Sequence, residues 1–356
     1  MIGIIASVLV SFTVTALSKV AEPRLYMESQ VEAAAVTEEV SFTAVPAKIP
    51  KASPLVWEKP RTVPSIGKNK AASILKKKMT EIENSKDLIS VLWSGADILR
   101  SKMDANEYKD YLLGIVFYKY LSDSFLIKVY DLLYDEKPST LKDAVEAYKE
   151  ALNDEESSEE LKKQLAEECH YVMEPELTYT HFAEEARNNS FNREQLQKGF
   201  NNIEQSDPIF ADLFADIDLY SNRLGTGDQK QSDTVASLIK EIDKADLLNS
   251  DAEILGNAYE YLIGQFASET GKKAGEFYTP QAVSKILTRI AISGQEDKIG
   301  LSVYDPCMGS GSLLLNAKKY ADKPKYIKYY GQELNTSTYN LARMNMFLHG
   351  IAAENQ

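Results

Sequence analysis

The residues best suited to chemistry follow an apolar segment that begins at Leu301 and ends in Asp305. The chain continues Pro-Cys-Met-Gly-Ser-Gly to Gly311, and a leucine-rich helix is predicted from about Ser312. A strand, a glycine-containing turn and a helix, in this order, form a ligand site at the carboxyl edge of a parallel sheet. Gly309 and Gly311 let the backbone approach a ligand closely. A carboxylate before the turn favours an ammonium group and disfavours a pyrophosphate.

A second acid, Glu333, follows the next predicted strand, which runs from Tyr326 to Gly331. Glu333 lies 22 residues after Gly311, where an acid that binds ribose hydroxyls is expected. A solvated glutamate at a strand end is the alternative, and it would be preferred if Glu333 stood alone. Together with the glycine turn, Glu333 predicts a nucleoside-binding edge. A nicotinamide dinucleotide is disfavoured, because Leu314 occupies the place of the third glycine that such sites use.

Upstream of these strands, the sequence Gly-Glu-Phe-Tyr-Thr-Pro ends at Pro280. Thr279 is predicted to be the N-cap of a helix and Pro280 its first residue. Apolar residues then recur at helical spacing, at Val283, Ile286, Leu287 and Ile290. Spacing alone predicts only a capped helix here, without ligand contact.

The segment before these motifs is expected to help position them. The sequence predicts a helical domain over residues 79–250. Asp104 and Glu107 have the spacing of a capping box at the start of one helix. That helix has an apolar stripe interrupted by Lys119, where an apolar residue is expected. Further helices are predicted over residues 141–153, 154–168 and 234–242. Residues 251–356 are assigned to a second, α/β domain that carries the motifs.

The amino-acid composition limits which kinds of binding site the chain can form. The chain has 356 residues and a net charge of −13, so it is expected to bind DNA weakly without a basic partner or groove. Its cysteines, Cys169 and Cys307, fit neither a disulfide nor a zinc pattern. His170 adjoins Cys169, but neighbouring residues rarely bind one metal ion together, so no metal site is predicted.

Residues 1–78 differ from the rest. They carry a charge of +5 and include an apolar run at residues 2–17, followed by alanine- and proline-rich sequence. The run is short for a bilayer span and no basic residue precedes it. We expect a disordered extension foreign to the domain and a cytoplasmic protein. A membrane or export leader is the alternative.

Three segments together resemble the modification (M) subunit of type I restriction-modification systems. They are Gly-Glu-Phe-Tyr-Thr-Pro at 275–280, Asp-Pro-Cys-Met-Gly-Ser-Gly at 305–311 and Gly-Gln-Glu-Leu-Asn at 331–335. Residues 104–123 and 256–266 resemble the same subunit. The resemblance covers about residues 85–350.

The resemblance implies a helical N-terminal domain followed by the first part of an α/β, Rossmann-like S-adenosylmethionine-dependent methyltransferase domain. It implies adenine N6 methylation of DNA and a hetero-oligomer with a specificity subunit and a restriction subunit. It also implies roles in cofactor binding. The methionine end of S-adenosylmethionine would contact Phe277, Tyr278, Thr279 and Pro280; its amino-acid group would contact Asp305, Gly309 and Gly311; its ribose would contact Glu333.

The sequence departs from this family in one respect. Related enzymes hold a flipped-out adenine with an Asn/Asp-Pro-Pro-aromatic motif, and no such tripeptide occurs among the 356 residues. We therefore assign no catalytic residue and expect the chain alone to be inactive. With only two strands, the apolar face of Leu341, Met344 and Phe347 is expected to be exposed and the C-terminal end poorly folded. A non-catalytic fragment that binds a specificity subunit is the alternative function.

Overall fold

The computed structural model describes residues 86–246, 252–270 and 278–351. The apolar run at residues 2–17, the remainder of the predicted extension and Phe277 lie outside these ranges. No helix among the described residues has the length and apolar character needed to cross a membrane.

A helical region comes first, and a two-stranded α/β region follows it. The helices before the strands are α1 (86–100), α2 (Ala105–Tyr134), α3 (Leu141–Ala151), α4 (Glu155–Cys169), α5 (Tyr179–Arg187), α6 (Arg193–Ser206), α7 (Asp228–Ile242) and α8 (Ala252–Thr270). The predicted helices at 141–153, 154–168 and 234–242 correspond to α3, α4 and the end of α7. The second region consists of α9 (Gln281–Ile292), β1 (Ser302–Asp305), α10 (Ser312–Tyr320), β2 (Lys328–Gly331) and α11 (Thr336–Leu348).

Helix α2 is the centre of the helical region, because it contacts α3, α4, α5, α7 and α8. The predicted capping box at its start is wrong: Asp104 is the N-cap residue, but its side chain caps no amide. The carboxylate of Glu107 pairs instead with Arg223, so it does not reach back to the cap. A capping box forms at α3, where Thr140 and Asp143 bond each other's backbone amides.

The lysine that interrupts the apolar stripe of α2 is buried in an ion pair. Nζ of Lys119 lies 2.7 Å from Asp123 Oδ2, one turn further along the helix. It also lies 4.9 Å from the ring centroid of Tyr179. The polar residue at a core position is therefore satisfied within the helix, which sequence periodicity cannot indicate.

Strands β1 and β2 are parallel, with Ser302 opposite Lys328 and Asp305 opposite Gly331. Parallel neighbours require a crossover, and α10 provides it. Because the strands run in the same direction, their carboxyl ends and the loops that follow lie at one edge. This edge brings the sequence-predicted acids together.

The expected exposure of the α11 face is wrong. Leu341 and Met344 are buried in the same core as the helical region. Phe347 stacks on Phe210 with ring centroids 5.3 Å apart. The helical region covers this face, so additional strands are not needed to bury it.

Apolar exposure occurs on α9 instead. Val283, Ile286 and Ile290 are 42%, 61% and 67% exposed, respectively. The helix also begins one residue later than predicted. Pro280, rather than Thr279, is the N-cap residue, since its ψ of 134° is extended rather than helical.

Candidate cofactor site

Asp305 ends β1 and carries a carboxylate that the protein only partly satisfies. Its Oδ1 accepts a hydrogen bond from the Cys307 amide at 3.0 Å. Its Oδ2 is buried, and no described residue donates a hydrogen bond to it. Burial raises the pKa of the Asp305 carboxyl above its usual value, and the nearby Glu333 raises it further. A buried acceptor without a donor is costly, and a cationic or hydrogen-bonding ligand could satisfy this oxygen.

The turn after Asp305 depends on two glycines in the left-handed region. Gly309 has a φ of 53° and Gly311 a φ of 82°. Gly311 is also the N-cap residue of α10, and its amide donates to the Met308 carbonyl at 2.8 Å. Other residues adopt these angles only at a cost of about 1–2 kcal/mol. The glycines therefore bend the backbone tightly around the start of α10.

Glu333 joins the turn to the loop after β2. Its Oε2 accepts a hydrogen bond from the Gly309 amide at 3.1 Å, and its Oε1 accepts one from the Asn335 amide at 3.0 Å. Two backbone bonds connect the same loops, from the Gln332 amide to the Asp305 carbonyl at 2.9 Å and from the Met308 amide to the Gln332 carbonyl at 3.0 Å. The structure thus brings both predicted acids and the glycine turn into one site.

The segment before α9 lies near this site, because Gln281, the first residue of α9, contacts the start of α10. Tyr278 is half-buried against α8, where a Cβ added at Gly264 would lie 2.9 Å from the tyrosine hydroxyl oxygen. Thr279 is half-buried and Pro280 is exposed. The Gln281 side chain then contacts the Ser312 hydroxyl of α10 at 3.5 Å. Tyr278, Thr279 and Pro280 are therefore tethered close to the start of α10.

Sequence reasoning missed several residues around the site. Asn345 of α11 donates a hydrogen bond to the Ser310 carbonyl at 2.8 Å, which fixes the turn from behind. Leu334, next to Glu333, is wholly exposed. Asn316 is buried after three leucines of α10. An asparagine directly after three leucines is the one sequence signal that points to Asn316.

The described residues provide no clustered metal ligands. Within residues 86–246, 252–270 and 278–351, no three His, Cys, Asp or Glu side chains are grouped as a metal site requires. Burial raises the pKa of the Cys169 thiol to about 11. His170 lies 3.3 Å from Asp207, with which it pairs when protonated.

Two family models match the chain. The model described as "HsdM N-terminal domain" matches residues 88–242, and the model described as "N-6 DNA Methylase" matches residues 250–356. Helices α1 to α7 thus correspond to an N-terminal helical domain. Helix α8, the glycine turn and Glu333 belong to part of a methyltransferase domain.

Individual proteins agree with this classification. The chain is 34% identical over 293 residues to the Type I restriction enzyme MpnII methylase subunit of Mycoplasma pneumoniae, covering 78% of this chain and 52% of that protein. It is 32% identical to the MjaVIII methylase subunit of Methanocaldococcus jannaschii, covering 75% of this chain and 41% of that protein. The chain spans about half the length of the curated relatives it matches.

A solved structure has the same fold. It is the crystal structure of a type I restriction-modification system methyltransferase subunit from Streptococcus thermophilus, which is 54% identical with a TM-score of 0.73. The match covers 76% of this chain and 57% of that one. The chain belongs to the family of M subunits of type I restriction-modification systems.

Proposed function

We propose that this chain provides the S-adenosylmethionine site of an adenine-specific (N6) DNA methyltransferase subunit. The observation that carries the proposal is the buried Oδ2 of Asp305 at the end of β1, to which no described residue donates a hydrogen bond. A ligand with an ammonium group satisfies this oxygen, and S-adenosylmethionine has such a group. Membership of the M-subunit family supports the same cofactor.

The residues around the turn fit the remaining parts of this cofactor. Gly309 and Gly311 leave the backbone open to its amino-acid group, and the Glu333 carboxylate accepts hydrogen bonds from ribose hydroxyls. The exposed Leu334 offers an apolar surface to the adenine ring. By the family resemblance, Tyr278, Thr279 and Pro280 would contact the methionine end, as would Phe277, which lies outside the described residues. When bound, the cofactor supplies an electrophilic methyl group, and the chain holds and orients it.

DNA and partner subunits belong to the same proposal. With a net charge of −13, the chain makes few of the phosphate contacts that dominate non-specific DNA affinity. A specificity subunit would supply the sequence reading and most phosphate contacts, and a restriction subunit would complete the cytoplasmic hetero-oligomer. We propose no metal ion among its ligands.

The transfer step needs residues that this sequence does not provide. No Asn-Pro-Pro or Asp-Pro-Pro tripeptide occurs among the 356 residues, so nothing in the chain matches the motif that would hold a flipped-out adenine. We propose that the chain alone binds cofactor without methylating DNA. Incorporation of a labelled methyl group into DNA by the purified chain would contradict this statement.

Calorimetric titration of S-adenosylmethionine into the purified chain tests the cofactor site. We expect wild-type binding, loss of binding in Asp305→Ala, and unchanged binding in Asp322→Ala, which removes an exposed acid outside the site. Absence of wild-type binding, in a chain shown to be folded by circular dichroism, would refute the proposed site. In that case an interaction fragment would describe the chain better.

A further inference from the structure

A hydrogen-bonded polar network connects α8, α9 and α10 behind the glycine turn. Gln281 Nε2 donates to Glu260 Oε1 at 2.8 Å and contacts the Ser312 hydroxyl at 3.5 Å. Asn316 Nδ2 lies 3.3 Å from Gln281 Oε1. Lys319 pairs with the other Glu260 oxygen at 3.2 Å. One glutamine thus joins a carboxylate of α8 to the first turn of α10.

The network is largely removed from solvent. Glu260 is 6% exposed, Ser312 2% and Asn316 0%. Hydrogen bonds in such surroundings are stronger than in water, and losing one partner leaves a buried group unsatisfied. Most of the network therefore lies in the interior, with Gln281 itself half-buried.

Glu260 lies at the middle of one face of α8, which the α/β region approaches closely at both ends. Gly256 lies four residues before Glu260 and Gly264 four residues after it, so all three are on the same face of the helix. A Cβ at Gly256 would lie 2.7 Å from the His349 ring, and one at Gly264 would lie 2.9 Å from the Tyr278 hydroxyl oxygen. Helix α8 thus serves as a platform for both the start of α9 and the end of α11.

The link ends at the glycine turn. Ser312 follows Gly311 directly, and its hydroxyl lies 3.3 Å from that of Ser310. Glycine is the residue with the largest backbone freedom, so a turn built on Gly309 and Gly311 needs support from outside to keep one conformation. Gln281 provides such support at the residue where the turn becomes helix.

We infer that Glu260 and Gln281 are positioning residues, which act through Ser312 and Asn316 to fix the glycine turn in its ligand-binding conformation. As far as cofactor affinity is concerned, this inference rests on the proposed function. Neither residue is assigned contact with the cofactor. Preorganisation of this kind lowers the ordering cost of binding and therefore tightens it.

Two measurements on the full chain test the inference: amide hydrogen exchange at Gly309 and Gly311 without ligand, and the dissociation constant for S-adenosylmethionine. Gln281→Ala is expected to speed exchange at both amides and to weaken cofactor binding about tenfold, as loss of one hydrogen bond to a charged group implies. The control is Thr288→Val. It removes another partly buried bond between α9 and α10, from the Thr288 hydroxyl to the Leu313 carbonyl at 3.2 Å, outside the network.

A reciprocal variant separates positioning from general packing. Glu260→Gln with Gln281→Glu exchanges the two side chains while keeping an amide donor and a carboxylate acceptor. We expect it to recover part of both exchange protection and affinity. The amide–carboxylate bond between positions 260 and 281 is restored, whereas the contacts of the Glu260 carboxylate with Lys319 and His349 are not.

The outcomes are distinguishable. If Gln281→Ala leaves both exchange and affinity unchanged, or if Thr288→Val reproduces its effects, the inference is overturned. If wild type binds no cofactor while Gln281→Ala still speeds exchange at Gly309 and Gly311, the proposed function fails and the positioning role stands.

Discussion

The buried pair of Lys119 and Asp123 in α2 makes a quantitative prediction about stability. The two residues are 2% and 1% exposed, and Asp123 Oδ1 accepts no hydrogen bond from a described residue. Lys119→Met keeps most of the side-chain volume and removes the charge. The carboxylate of Asp123 then stays buried without its cation, while Asp243 and Asp246 act on it with the same sign of charge.

The expected loss is large for one substitution. Removing one partner of a buried pair typically costs about 3–5 kcal/mol, because the remaining charge is uncompensated. In a domain of this size that corresponds to a fall in melting temperature on the order of 10 °C. The matched control is Lys128→Met on the same helix, whose partly exposed pairs with Asp131 and Glu168 predict a change of about 1 kcal/mol or less.

The pH dependence adds a second test of the same pair. Burial already raises the pKa of the Asp123 carboxyl in the folded state above its value in the unfolded state. The folded state therefore binds the carboxyl proton more tightly. Stability falls as the pH rises from the unfolded-state pKa through the folded-state pKa. Loss of Lys119 raises the pKa further. Thermal unfolding of Lys119→Met should therefore show its largest deficit at neutral pH and a smaller one in acid. A deficit below about 1 kcal/mol, or one independent of pH, would refute the reasoning about a buried charge.

Three further predictions concern the site and the core. Glu333→Gln removes the charge beside Gly309 and should raise the dissociation constant for S-adenosylmethionine roughly tenfold in calorimetry; equal affinity would exclude a charge-dependent contact. Because burial raises the pKa of Asp305, titrations at several pH values should show affinity increasing as pH rises through that pKa, whereas constant affinity would argue against a carboxylate–ammonium contact. Gly199→Ala should destabilise the fold by about 1–3 kcal/mol in chemical denaturation, since the added Cβ would lie 2.1 Å from the buried Tyr118 hydroxyl oxygen; a neutral effect would mean that the ring moves freely.

Short sequence motifs predict the conformations that residue type limits over a few neighbouring positions. Asp305, Gly309 and Gly311 lie where a strand, turn and helix were expected, because residue type alone limits those conformations. Glu333 meets the same turn because parallel strands end at one edge. The class of fold, a helical domain followed by part of a methyltransferase domain, is confirmed.

Features that depend on distant residues could not be predicted in this way. Periodicity identified the apolar face of α11 but not the helical region that covers it, so Met344 was wrongly expected to be exposed. The spacing of Asp104 and Glu107 allowed a capping box, yet Arg223, far along the chain, pairs with the glutamate. Gln281 belongs to none of the sequence motifs described above. Its contacts with Glu260 and Ser312 depend on how α8, α9 and α10 pack together.

The central claim is that the carboxyl edge of β1 and β2 binds S-adenosylmethionine, and a crystal structure of the chain with S-adenosylhomocysteine tests it most directly. This product retains the amino-acid group and the nucleoside but cannot donate a methyl group. We predict that its ammonium group lies within hydrogen-bonding distance of Asp305 Oδ2 and its ribose beside Glu333. A ligand bound elsewhere, or a site that stays empty at concentrations that saturate binding in solution, would contradict the claim.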